Sequence, residues 1–393
     1  MSLASAQPDP APPGPSQLDP ARSGLTPPDP AGDGPAGPGA GRGAGRRRGA
    51  GRHSALLRYT AKRLVIAIGL LFGMTLVTFC LTNLVPGDPV AAALGQRAAD
   101  DPEIVARFRA EYGLDKSLPA QYAAYLGRLV RFDLGTSWQT HRPVSADLAK
   151  AVPATMEIAF GAIVCAAVIG ITFGAWSAYR RGRLTDQTLR LVSLVGISLP
   201  TFWTAIVCFY IFYYRLGWAP GSGRLTPGVP APAKVTGMYT VDALLAGQWR
   251  TFVDASAHLA LPTLVLTLYT VGLLTRFSRT SILEVLDQDY VRAAKAKGLP
   301  GRTVFFRYVL RGAAVPILTV VGLAFGSLLS GTVLVESIFG WPGLGSYAYQ
   351  ASSKLDLLAV MGVGLVVGLV YLCVNLIVDL AYGFIDPRVR VGR

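Results

Sequence analysis

The sequence predicts an all-α integral membrane protein with six transmembrane helices, and three observations carry that prediction. Hydrophobic residues make up 51% of the 393 and charged residues only 15%, whereas soluble domains carry about a quarter charged residues. The apolar residues are clumped into Leu64–Leu84, Ile158–Tyr179, Leu191–Tyr214, Leu259–Thr275, Gly312–Val335 and Leu357–Val378, none of which contains Asp, Glu, Lys or Arg. A spanning helix needs about 20 residues to cross about 30 Å of hydrocarbon. Five runs meet that length, and Leu259–Thr275 is expected to borrow His258 and its neighbours. Finally, a six-span count puts every strongly basic short loop on one side, as Lys and Arg sort in cytoplasmic loops.

Taken in order, residues 1–54 are rich in Pro, Gly and Ala and end in GAGRGAGRRRGAGR. Such a segment cannot bury enough surface to offset its ordering entropy, so it is predicted to be a disordered cytoplasmic tail. No short apolar core lies near Met1, so it does not read as a signal peptide. The net charge of +14 raises a nucleic-acid reading, but a basic tail before a span fits attraction to anionic lipid better. No nucleic-acid partner is expected.

Residues 55–84 carry the first span, running outward behind the basic tail and Lys62-Arg63. Residues 85–153 form an extracytoplasmic loop subdomain that opens on the turn Pro86-Gly87-Asp88-Pro89. Within it, Ile104, Val105, Phe108 and Tyr112 recur at helical spacing, as do residues from Gln121 to Phe132. Residues 154–382 hold the remaining five spans. In the connection from Arg215 to Ala257 the first half is loop and short helices are expected at Val241–Leu245 and Trp249–Asp254. Residues 383–393 form a cytoplasmic tail. The four cysteines, Cys80, Cys165, Cys208 and Cys373, show no CxxC and no paired framework, and read as small buried hydrophobes.

The polar interruption DQDYVRAAKAKGLPG, 287–301, is the least expected stretch. Asp287 or Asp289 can cap a helix starting near Tyr290, and Lys295 and Lys297 suit its C-terminal end. Gly298 suits a left-handed C′ position, and Pro300 stops continuation. Ala293, Ala294, Ala296 and Gly298 leave little bulk, so a partner can approach the backbone. From the residues alone, a topology-setting connector and a docking peg for another protein both stay open.

DYVRAAKAKG resembles the EAA loop of ABC importer permeases: Arg292-Ala293-Ala294 is followed three residues later by Gly298. Arg stands where the consensus has Glu and the proline comes later, departures that the dipeptide, oligopeptide and nickel branch shares. RLVIAIGLLFGMTLVTFCLTNLVPGDP, RFDLGTSW, VPATMEIA, GISLPTFW, VESIFGWPGLG and NLIVDLAYGFIDPRVR resemble the same branch, in order, over residues 58–390. The resemblance implies a type I ABC importer permease fold, with both termini in the cytoplasm of a bacterial inner or plasma membrane. It implies that the loop 277–311 holds a coupling helix, with Asp289, Tyr290, Arg292, Ala293, Ala294, Lys297 and Gly298 touching an ATPase. Trp341, Pro342 and Gly343 would lie near an outer gate. The implied partners are a second permease subunit forming a heterodimer, two cytoplasmic ABC ATPases and an extracytoplasmic solute-binding protein. The implied cargo is short peptides, with nickel or another small solute as the alternative.

No GxxxxGK[ST] and no Gly-Lys dipeptide occurs, so ATP and Mg are expected on the partner ATPase and no cofactor on this chain. A membrane-embedded enzyme would need convergent acids, histidines or a metal set within the spans, which the sequence does not display. A secondary carrier would show internal duplication and mid-bilayer charges.

Other residues invite readings of their own. Pro200 and Pro262 are expected to kink spans, and Gly322, Gly326 and Gly331 to permit close helix packing. Glu157 and Glu336 read as interfacial, Asp379 as lying near the inner end of the sixth span. His258 reads as a loop histidine. Trp341-Pro342-Gly343 reads as a turn whose indole anchors at the membrane surface.

Overall fold

The computed structural model describes residues 65–66, 68–80, 95 and 100–385; the expectations for the tail 1–54 and for residues 386–393 lie outside them. The described residues form helices α1 Ile68–Cys80, α2 Pro102–Tyr112, α3 Leu118–Val130, α4 Val144–Tyr179, α5 Leu184–Ser198 and α6 Thr201–Cys208. There follow α7 Tyr239–Leu245, α8 Trp249–Leu286, α9 Asp289–Ala296, α10 Leu310–Gly331, α11 Val333–Ile338, α12 Leu344–Ser353 and α13 Leu357–Ile385.

The short helices of the 85–153 segment form where periodicity predicted them. Asp101 accepts the N–H groups of Glu103 and Ile104, Pro102 occupies the first turn, and Gly113 ends α2 in the left-handed region, a start and stop written locally. α4 begins at Val144, ten residues before the sequence boundary at 154, because Pro153 sits inside the helix without ending it. Proline removes the hydrogen bond to the carbonyl four residues back. Here that carbonyl, Ala149 O, accepts from Lys234 Nζ at 3.3 Å instead.

α4 and α8 are the long central pair, of 36 and 38 residues, hence about 54 and 57 Å at 1.5 Å per residue. Both overhang a hydrocarbon layer of about 30 Å. They pack along their length because Gly170 and Gly174 lack side chains where they meet. A Cβ on Gly170 would stand 2.7 Å from Leu274 Cβ, and one on Gly174 2.6 Å from Ser278 Cβ. α8 absorbs the predicted Trp249–Asp254 helix, the short apolar run and Pro262 into one rod. His258 is therefore a buried helical residue rather than a loop one, its Nδ1 within 2.9 Å of Asp254 O.

The third apolar run is not straight. Leu184–Ser198 and Thr201–Arg215 meet at 96°, with Leu199 extended at ψ 126° before Pro200. A residue preceding proline is pushed out of the helical region, so Pro200 breaks this run where a kink was expected. Among the described residues four helices are long and apolar enough to span, or five with the bent pair taken as one. The first run is described only as the shorter Ile68–Cys80.

α10 crosses α13 as its glycines predict at two of three positions. A Cβ at Gly322 would meet Val378 and one at Gly326 would meet Tyr371, whereas Gly331 faces open space. Among the cysteines Cys208 is buried, while Cys80, Cys165 and Cys373 are exposed on the outside of the bundle. Buried apolar side chains fall into a central cluster and two end clusters. One end gathers Val144, Leu148, Leu344 and Leu358, and the other Ala178, Ile282, Val291 and Val309.

Candidate functional site

The helix predicted in the polar interruption exists as α9. Its N-cap is Gln288, extended and without a side-chain cap bond, so neither Asp287 nor Asp289 caps it. Asp289 sits instead in the first turn, 3.5 Å from Arg292 Nη1, where a negative charge still suits the helix dipole. Arg292 Nη2 also donates to Asp287 O at 2.7 Å, tying the helix to the chain that enters it. At the other end Gly298 has φ +73°, and its N–H reaches Lys295 O at 3.0 Å. Only glycine takes that left-handed conformation at no steric cost.

α9 is seated through two side chains. Val291 and Ala294 are buried against Ile282, Val304, Val309 and Ala313. Asp289, Tyr290, Arg292, Ala293, Lys297 and Gly298 are exposed. Six of the seven sequence-predicted coupling residues are thus exposed, while Ala294 faces the protein's own helices. Tyr290 lies against Gly312, where a side chain would collide with its hydroxyl. A π-helical turn, Val304–Val309, then leads into α10.

The seat is locked by a contact that local sequence did not reveal. Asp186, buried at the start of α5, takes two bonds from Arg279 of α8, Nε at 2.8 Å and Nη2 at 2.9 Å. It also accepts from Ser177 Oγ of α4 at 2.5 Å and Gly182 N at 3.0 Å. One carboxylate fixes three helices. A bidentate Arg–carboxylate pair adds geometric specificity as well as strength.

Twenty residues back along α4, about 30 Å at the helical rise, lies a second polar cluster. Glu157 is buried rather than interfacial. Its Oε2 accepts from Arg224 Nη2 at 2.6 Å, and its Oε1 accepts from Thr240 N at 2.7 Å and Thr240 Oγ1 at 2.6 Å. Arg224 is buried too, donates to Gly237 O at 3.0 Å and lies 3.6 Å from the centre of the Tyr239 ring. Nearby, Asp242 accepts from the N–H groups of Val235, Thr236 and Gly237 and from the Thr236 hydroxyl. Burial pushes its carboxyl up, but those four bonds outweigh it and hold the pKa below the usual aspartate value.

Trp341 is not a surface anchor: it is buried, with Nε1 donating to Ala154 O at 2.9 Å. Glu336 is also buried. It accepts from Thr155 Oγ1 at 2.5 Å and from Ser346 N at 2.9 Å, while Thr155 accepts from Leu344 N at 2.7 Å. Side chains from α4 and α11 thereby satisfy the first N–H groups of α12, the groups every helix start leaves free. Gly343 and Gly345 are required there: a Cβ on Gly343 would strike the Glu336 carboxylate, and one on Gly345 would stand 2.6 Å from Val333 Cα. Pro342 is exposed.

The family model for binding-protein-dependent transport system inner membrane components matches residues 170–391, and the model for the N-terminal part of such components matches residues 56–159. The probable D,D-dipeptide transport system permease protein DdpB of Escherichia coli (strain K12) is 43% identical over 338 residues, covering 86% of this chain and 98% of that protein. The di/tripeptide transport system permease protein DppB of Pseudomonas aeruginosa (strain UCBPP-PA14) is 41% identical over 338 residues, 86% of this chain and 100% of its own. A chain of the inward-facing MetNI methionine ABC transporter aligns with a TM-score of 0.44 at 13% identity, over 61% of this chain and 96% of that one.

Proposed function

This chain belongs to the family of binding-protein-dependent transport system inner membrane components, and from that premise we propose that it conducts short peptides as one half of an ATP-driven import pathway. It is a transport subunit, not an enzyme, of a multi-pass ABC importer that works with ATPase and solute-binding partners. Both relatives quoted above are peptide permeases by name, which sets peptides ahead of nickel as cargo. One second permease, two ATPase subunits that bind the ATP and Mg, and one solute-binding protein complete the assembly.

The observation that carries the coupling role is the division of α9 into a seated and an exposed side. Val291 and Ala294 hold it in the bundle, while Arg292, Ala293, Lys297 and Gly298 offer charge and almost no bulk to a partner. A push on the exposed side passes through the seat into α8 and α10, whose side chains form it. The exposed Arg180, Arg181, Arg183, Arg302 and Arg311 support a cytoplasmic position for this end, and with it cytoplasmic termini. Trp341, Pro342 and Gly343 then stand at the outer end, where the buried indole and the crowded glycine support a gate that moves as one piece with α4.

The test is Ala293→Trp in the assembled transporter. The exposed helical position accepts the side chain without disturbing the seat, so membrane level and thermal stability should match wild type. Uptake should fall about tenfold or more, the loss expected for ~1.4 kcal/mol or more of disrupted contact, while the ATPases still hydrolyse ATP. Uptake equal to wild type in correctly assembled protein would count against the role.

A further inference from the structure

A cavity of about 180 Å³ opens between the end of α1, helices α2 and α3, and the start of α13. That volume is far above the roughly 10–15 Å³ one water needs. Its walls are of two kinds. Phe79, Leu358 and Met361 are apolar and come from α1 and α13; Lys116, Tyr125 and Arg128 are polar and come from the loop subdomain. Among the described residues no Asp or Glu lines it.

Two buried polar atoms in this wall are unused. Tyr125 is 3% exposed, and neither its hydroxyl nor Arg128 Nε has a hydrogen-bond partner among the described residues. A buried donor left unpaired is costly, and most buried polar atoms in native interiors have a partner. Burial also pushes the Tyr125 hydroxyl up to about 12, so it stays a donor. The cavity thus presents donors and positive charge with no compensating acid: it asks for an anion.

Its place says which kind. α13 starts at this end of the molecule, so Leu358 lies where an apolar helix leaves the loop subdomain, the level that lipid headgroups take around a membrane-spanning chain. Aromatic and cationic side chains gather at that depth in membrane proteins. A ligand there meets hydrocarbon on one side and cations on the other.

We propose that this cavity binds the anionic headgroup of a phospholipid. The phosphate takes Arg128, Lys116 and the Tyr125 hydroxyl, and an acyl chain runs down past Phe79 and Met361 between α1 and α13. The bound lipid adds to the contacts that already join the loop subdomain to these two spans, among them Tyr122 with Phe72, Thr75 and Phe79 and Ser137 with Asp356.

Native mass spectrometry of the assembled transporter, titrated with phosphatidylglycerol or with phosphatidylcholine, reads this directly. Wild type should retain one phosphatidylglycerol in preference to phosphatidylcholine, and a millimolar excess of inorganic phosphate should leave it in place. Arg128→Gln should weaken retention about tenfold or more, since a hydrogen bond to a charged group is worth about 1.5–3 kcal/mol. Tyr125→Phe, which removes one oxygen and keeps the ring, should weaken it severalfold with unchanged unfolding temperature. Wild-type retention by both variants, or equal retention of the two lipids, overturns the proposal. Displacement by inorganic phosphate overturns it in favour of a free-anion site.

Discussion

The two ends of α4 carry polar clusters of opposite design. Around residues 149–157 the buried carboxylates and the indole find partners inside the chain: Glu157 with Arg224 and Thr240, Glu336 with Thr155 and Ser346, and the Trp341 indole with Ala154. Around residue 177 only the seat is closed, by Asp186 and Arg279. Beyond it α9 turns Arg292, Lys295 and Lys297 outward. The first cluster is bonded largely within the chain, whereas α9 closes on its own entry segment only through Arg292 and leaves Lys295 and Lys297 exposed. The partner contact proposed for α9 rests on that difference.

The sharpest way to break this contrast is Arg224→Met. It strands a buried carboxylate, and removing one partner of a buried pair costs about 3–5 kcal/mol. The variant should lose most of its folded, assembled protein on size-exclusion chromatography, and Glu157→Gln added to it should restore part. A well-folded single variant would show that the pair is dispensable and the cluster no clamp.

Asp242→Asn should have a smaller, pH-dependent effect. A carboxyl with a depressed pKa contributes stability that is present above the ordinary aspartate value, about 3.9, and lost as pH falls through the lowered folded value. The variant should therefore melt below wild type at neutral pH, with the gap closing as pH falls below about 4. A gap that stays constant with pH would assign the effect to shape rather than charge.

Lys297→Gln should have the smallest effect on stability, within about 0.5 kcal/mol as at exposed sites generally, yet should lower uptake. Equal losses of stability at Lys297 and Arg224 would erase the distinction between the two ends.

How much of this was legible follows from how local each signal is. The helical spacing of Ile104, Val105, Phe108 and Tyr112 and the left-handed Gly298 are written within a few residues, and both appear as expected. Glu157 and Arg224 lie 67 positions apart, and Asp186 and Arg279 lie 93 apart. No periodicity links such pairs, so each charge looked interfacial or unremarkable by itself. Trp341 was misread for the same reason: its acceptor, Ala154 O, is 187 residues away. Glu336 was half-legible in retrospect, because the crowded glycines of GWPGLG signal something filling the space beside them. Pro200 showed its position but not its angle, which goes with the packing of both halves on α8 and of the second half on α11.

The most direct test of the central claim uses Ala293→Cys in a chain whose four cysteines are replaced. Right-side-out vesicles are treated with a membrane-impermeant maleimide, before and after permeabilisation, with and without the ATPase subunits. The account predicts no labelling of sealed vesicles, full labelling of opened vesicles lacking ATPase, and protection when the ATPase is present. Labelling of sealed vesicles would put α9 on the wrong side of the membrane and contradict the account.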